Sequence, residues 1–293
     1  MRRPWRRNPP PWPDDTALTL IHLINPFGCA WDRRENEDNA DLFRNFIYRA
    51  PPYPENAAYD EIAAFLNLVF FDGPVRVDQD RALADFAARA GHDELQRIMA
   101  IGTHRHRKGI KFNGDGSTWS RDVFDTIVDG WLSGARRMVV IDVHTGFGPP
   151  GAGLIMTYDP PAAPERRRLA RWLGDLHQVG GGQSRLAVHR RMPYHGIADR
   201  LPGAAVTVVA PEFGTDGVSK LDVNLVREEN YIHNHGDPSA PVSRRIRARM
   251  RARYYVETPD WKEAVIARGL EIFDRAKAGL AAWARAPMDE FPR

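Results

Sequence analysis

Two apolar runs decide what this chain can fold into. Residues 136–144, RRMVVIDVH, and 204–214, AAVTVVAPEFG, are rich in β-branched side chains and almost unbroken in apolarity. That pattern predicts strands covered on both faces, because a strand wet on one face alternates apolar with polar residues. A third run, ALTLIHLIN at 17–25, predicts another strand. Between and after them lie segments with apolar residues at helical spacing: YDEIAAFLNLVFF, QDRALADFAARAGHDELQRIMA, WSRDVFDTIVDGWLSGARR, APERRRLARWLGDLH, LDVNLVREENYIH and DWKEAVIARGLEIFDRAKAGLAAWA. Strands separated by long helices predict an α/β fold, with a mixed, mostly parallel sheet flanked by helices. Residues 1–16 are rich in Pro and Arg and predict a disordered tail. One domain is expected over 17–290, without internal repeats.

The composition narrows the setting. No apolar stretch approaches the ~20 residues needed to span a bilayer, so no membrane partner is expected. The basic start lacks the apolar core of a secretory signal. Cys29 is the only cysteine, which excludes an intrachain disulfide and a Cys-rich zinc site; a cytoplasmic location is the expectation. The net charge of +3 is concentrated in the tail and in SRRIRARMRARYY, residues 243–255. Arginines two residues apart spread around a helix rather than forming one stripe, so a solvated helix face is favoured over a nucleic-acid surface.

Chemistry-bearing residues gather at strand ends. His144 closes the run at 136–144 and Glu212 comes near the end of the run at 204–214, and open α/β sheets place their sites beyond the carboxyl ends of strands. A histidine and a glutamate there suggest a metal ligand and a general base; a hydrogen-bonded structural histidine and a salt-bridged carboxylate are the plainer alternatives. Asp142, two residues before His144, shares its sheet face and suits an acceptor that orients the imidazole. GFGPPG at 146–151 matches a dinucleotide fingerprint, but its prolines lead into the β-like LIMTY rather than the helix such a site needs. GGGQS at 180–184 lacks the Lys-Ser/Thr of a P-loop. The stretch at 25–46, NPFGCAWDRRENEDNADLFRNF, is dense in Arg, Asn and carboxylates. It fits either an ion-paired loop or arginine forks for a substrate carboxylate or an oxyanion.

Four of these motifs, INPFGCAWDRRENEDNADLFRNF, IDVHTGFGPPG, PEFGT and VREENYIHNHGD, occur in an order that resembles a bacterial family of uncharacterised proteins. That family is related to the zinc carboxypeptidases of the carboxypeptidase A type and to succinylglutamate desuccinylase and aspartoacylase. The resemblance covers roughly residues 17 to 285. It implies a zinc-carboxypeptidase-like fold and a zinc-dependent hydrolase of peptide or acyl-amide bonds, acting on a small peptide or acyl-amino acid. It implies that Arg33 or Arg34 polarises the scissile carbonyl. It also implies that Arg44, beside Asn45, grips a substrate carboxylate, that His144 is the third zinc ligand, and that Glu212 activates the metal-bound water.

The sequence departs from that pattern in two places. No histidine is followed three residues on by glutamate, so the His-x-x-Glu that supplies the first two ligands is missing. The expectation is an incomplete zinc site in a domain lacking its N-terminal part, since a catalytic zinc takes three protein ligands. Phe43 stands where the peptidase motif has Asn, which leaves an amidase or deacylase as open as an exopeptidase. HNHGD and THRHRKG read as polar loop residues rather than replacement ligands. The alternatives are a non-catalytic binding relative that kept the cleft and, least favoured, a basic nucleic-acid-binding protein; the oligomeric state is left open.

Overall fold

The computed structural model describes residues 12, 15–47, 50–157, 159–178, 195–215 and 222–285. Most of the 1–16 tail and the GGGQS stretch lie outside them. Trp12 is described: its ring stands edge-on to Phe273, 6.0 Å between centroids, and lies 4.3 Å from Nζ of Lys277.

The elements run α1 (Pro26–Ala30), α2 (Leu42–Ile47), α3 (Ala57–Leu66), α4 (Gly73–Ala90), α5 (His92–Ile101), α6 (Trp119–Trp131), β1 (Arg137–Ile141), β2 (His144–Pro150), β3 (Leu154–Thr157), α7 (Pro164–Leu173), β4 (His177–Gln178), α8 (His195–Arg200), β5 (Ala205–Gly214), α9 (Val223–His235), α10 (Pro241–Tyr254) and α11 (Pro259–Arg285). The result is a mixed α/β fold whose sheet is mostly parallel and flanked by helices. β5 is central, with β1 and β2 parallel to it and β3 antiparallel; β4 pairs parallel to β3.

β1 and β2 behave as one interrupted strand. Arg137 lies opposite Ala205 and His144 opposite Glu212, so the register is unchanged across the gap. By that register the break at Asp142 and Val143 falls opposite Ala210 and Pro211. Proline has no N–H for a ladder, which accounts for the interruption.

Each face of the sheet has its own cover. Val139, Ile141, Val209 and Phe213 pack with Leu169 and Leu173 of α7 and Ile272 and Ala276 of α11. On the opposite face Met138, Val140, Val206 and Val208 meet Phe43, Val128, Ile197 and Leu201. Burying a side chain the size of Phe213 contributes roughly 1.5–3 kcal/mol. A second body forms beside the sheet, where Tyr59, Ile62 and Leu66 of α3 close on α4, α5 and α9.

Three expectations need correction. Residues 17–25 form no strand; the segment is irregular, with bends at His22 and Ile24, and Leu18, Leu20, Ile21, Leu23 and Ile24 are exposed. Apolarity and β-branching favour a strand, but a strand also needs a partner edge, and here the segment has none among the described residues. The helix expected over 79–100 is two, parted at Gly91, whose φ of 88° favours glycine and ends α4. β1 is half-buried rather than fully covered, because among the described residues it is an edge of the sheet.

Candidate active site at the strand ends

The site is set by register. His144 and Glu212 are direct partners across parallel strands, so both side chains leave the same face, and Asp142 shares it. Nε2 of His144 lies 2.8 Å from Oδ2 of Asp142. Burial works against the imidazolium, but Asp142 and then Glu212 outweigh it and hold the His144 pKa above its usual value. Glu212 is raised by burial, against the pull of His144, the Phe147 N–H and Arg34. The Phe147 N–H donates to its Oε1 at 3.0 Å.

The two adjacent arginines separate. Arg33 turns inward, with its side chain 2% exposed and Nε 2.9 Å from Oε1 of Glu229 on α9. It also donates from Nη2 to Asn39 Oδ1 at 2.9 Å. Arg34 is the arginine whose field reaches Glu212 and Tyr254, and its side chain is 39% exposed. Burial opposes its charge; Asp41, 3.3 Å away, then Tyr254, Glu35 and Glu212, raise its pKa overall. Burial pushes the Tyr254 hydroxyl up, with Arg34 opposing. A Cβ on Gly146 would stand 3.0 Å from Cδ1 of Tyr254, so this ring lies against the stretch after His144.

Local sequence holds this arrangement. Asn25 caps α1 by accepting from the Gly28 N–H at 2.9 Å and donates to the Arg34 carbonyl at 2.9 Å. A Cβ on Gly28 would sit 2.6 Å from the Arg33 carbonyl oxygen, so this turn needs glycine. The Asn-Pro-x-Gly stretch thus fixes the backbone from which Arg33 and Arg34 diverge.

Arg44 and Asn45 lie deeper. Arg44 is paired with Asp41 and donates from Nε to the Ala100 carbonyl at 2.9 Å. Asn45 donates to the carbonyls of Gly116 at 2.9 Å and Asn113 at 3.3 Å, and accepts from Thr118 at 3.2 Å. Both are buried and occupied with the 100–118 segment. Phe43 joins the sheet core.

Several participants carried no assigned role in the sequence reading. Lys111 is buried 3.2 Å from Glu35 and 3.9 Å from Asp41, and burial lowers its pKa. Burial pushes Glu229 up to about 7, Arg33 opposing. The advance signal for Glu35 and Glu229 was the density of charge in DRREN and VREEN; Lys111 lies outside both and had none. His233 and His235 lie on the last turn of α9, not in a loop; burial, then Arg33, holds His233 down at about 4.

The donor set does not fit a resident zinc ion. Among the described residues no group of three or more His, Cys, Asp or Glu is arranged to hold a metal. A catalytic zinc requires three protein ligands and an open position. The arrangement supports proton transfer at Glu212, charge stabilisation at Arg34, and an imidazole oriented by Asp142.

Among the described residues no helix is long and apolar enough to cross a membrane. The arginines of α10 are engaged in part: Arg249 with Asp222 and Glu228, Arg251 with Asp32 and Glu257, and Arg247 over the Trp31 ring. Comparison with curated proteins and with solved structures finds no match. The sequence does match one family model over residues 6–268. The chain accordingly belongs to the family described as "protein of unknown function (DUF2817)".

Proposed function

We propose that this chain carries the proton-transfer and oxyanion side of a hydrolase site for peptide or acyl-amide bonds, of the zinc-carboxypeptidase-like type. The observation that carries the reading is the pairing of His144 with Glu212 on one sheet face, within the field of Arg34. In this reading Glu212 takes a proton from the attacking water and returns it to the leaving amine. Arg34 meets the negative charge that develops on the carbonyl oxygen. Asp142 fixes the imidazole of His144. The order of motifs supports a zinc-hydrolase ancestry and a chain that represents its larger C-terminal part. The residues present do not fit the metal, so no step is assigned to it. The upstream reading frame tests that ancestry, and the expected result is a His-x-x-Glu segment there.

The incomplete donor set favours a second reading, a binding relative that keeps the cleft and does no chemistry. A panel of N-acyl amino acids and short peptides separates the two, with binding and turnover measured on the same protein. Turnover that falls by about 100-fold or more in Glu212→Gln establishes the hydrolase, since a general acid–base group contributes ~10²–10⁴-fold. Binding weakened by Arg34→Met, without turnover, establishes the binding relative. Neither binding nor turnover refutes both.

A further inference from the structure

Two adjacent tyrosines at the end of α10 part company. Tyr255 turns outward: it is 37% exposed, its ring stands edge-on to Trp261 at 5.5 Å, and Arg251 and Lys262 lie over it at 5.1 and 5.2 Å. Tyr254 turns toward the strand ends and is held at both strands that build the site. A Cβ on Gly146, two residues past His144 in β2, would stand 3.0 Å from its Cδ1 and 3.1 Å from its Cε1. Thr215, three residues past Glu212, donates from Oγ1 to the Arg253 carbonyl at 2.8 Å, which fastens the end of α10 to the end of β5. The body of the Tyr254 ring packs against the cluster of Leu225, Ile232, Ile246 and Met250. Its hydroxyl meets charge instead: Arg34 and then Glu35 are the ionic groups that act on it most. Arg34 in turn has Asp41, Tyr254, Glu35 and Glu212 in its field.

We propose that Tyr254 contacts the substrate, its hydroxyl and the Arg34 guanidinium together gripping the oxygen of the scissile carbonyl as it becomes a tetrahedral oxyanion. The inference rests on the hydrolase reading of this cleft and deepens it. The two donors differ in kind. Arg34 carries charge and attracts an anion from any direction. The phenol is a neutral donor with one direction, and its burial keeps its proton in place, so it donates a hydrogen bond and transfers nothing. Attack by water moves the carbonyl electron pair onto the oxygen, and a donor already fixed there binds it more strongly as the charge develops. The packing of the ring on α9 and α10 supplies that fixity. The ligand class that engages both donors is a tetrahedral monoanion.

Titration calorimetry on the full chain tests this with the monomethyl esters of methyl-, benzyl- and phenylphosphonate, which are tetrahedral monoanions. The wild type is expected to bind at least one of them. Tyr254→Phe keeps the ring and its packing, so its thermal melt is expected to match the wild type. Its affinity for the ester should fall by about 10- to 100-fold, the worth of a hydrogen bond to a charged group. Tyr255→Phe should leave that affinity unchanged. Where an acyl-amide substrate turns over, Tyr254→Phe should lower kcat and kcat/KM together, the mark of a contact made in the transition state. Ester binding that depends on Tyr254 in a chain without turnover supports the pair of donors and removes the hydrolase reading. Turnover that Tyr254→Phe leaves intact overturns the pair and keeps the hydrolase. No ester binding by the wild type, or an affinity indifferent to Tyr254→Phe, also overturns the proposal.

Discussion

Replacing Arg33 by Met probes the division of labour between the two arginines. The side chain is 2% exposed and faces Glu229 at 2.9 Å, Asn39 at 2.9 Å and Glu35 at 3.8 Å. Removing it leaves two buried carboxylates with Lys111 as the remaining cation close to Glu35. Breaking a buried pair by deleting one partner costs about 3–5 kcal/mol. Arg34→Met removes a side chain 39% exposed to water, and Asp41 keeps its pairing with Arg44 and its proximity to Lys111. The expected cost is about 1 kcal/mol or less, in the range of solvent-screened pairs. The pH dependence sharpens the contrast. Burial raises the Glu229 pKa to about 7, so the folded state holds a proton that the unfolded state releases between about pH 4.5 and 7. Without Arg33 that affinity rises further, and protonation relieves the unpaired charge. The Arg33→Met deficit is therefore larger at pH 8 than at pH 5. Urea unfolding followed by circular dichroism at both pH values measures it. Equal deficits for the two variants, or a larger one for Arg34→Met, would refute the assignment.

Other outcomes follow from the same structure. In the wild type the Glu229 contribution makes stability fall as pH rises through about 4.5 to 7; Glu229→Gln is expected to flatten that slope in urea titrations. Gly214→Ala would place a Cβ 1.9 Å from the Gly148 carbonyl oxygen, so loss of soluble, cooperatively folding protein is expected in thermal melts. Arg227, 0% exposed, donates to the carbonyls of Phe65 and Leu66 and to Asp80, which is 43% exposed and keeps Arg76; Arg227→Met should cost about 1–3 kcal/mol in urea unfolding, mainly from the carbonyls left without a donor. Trp261→Phe deletes the indole donor to the Gly214 carbonyl at 2.8 Å and should cost about 1–3 kcal/mol by the same measurement.

The sheet was largely legible because its strands satisfy two requirements at once, apolarity and β-branching. β5 and β1 satisfy both; β2, His-Thr-Gly-Phe-Gly-Pro-Pro, satisfies neither and was not legible as a strand. The 17–25 run satisfies them too and still forms no strand among the described residues, because pairing is a property of two segments and sequence shows one at a time. His144, Glu212 and Asp142 were legible as neighbours because sheet parity is local, although His144 opens β2 rather than ending a strand and Glu212 lies inside β5. The choice between Arg33 and Arg34 was not. Adjacent side chains diverge, and what draws Arg33 inward is Glu229 on a helix far along the chain. The burial of Arg44 depends likewise on the Ala100 carbonyl at the end of α5.

The bond from the Phe147 N–H to Glu212 ties the acidity of the carboxylate to the shape of the segment after His144. That segment bends through Gly146 and Gly148, both at positive φ, so its backbone has conformations closed to other residues. A ligand that draws the Phe147 amide toward itself strips Glu212 of a donor, and the carboxylate's hold on a proton tightens. Binding that breaks this bond would then favour proton uptake, and it would register as a binding heat that varies with the ionisation enthalpy of the buffer, before any product is sought.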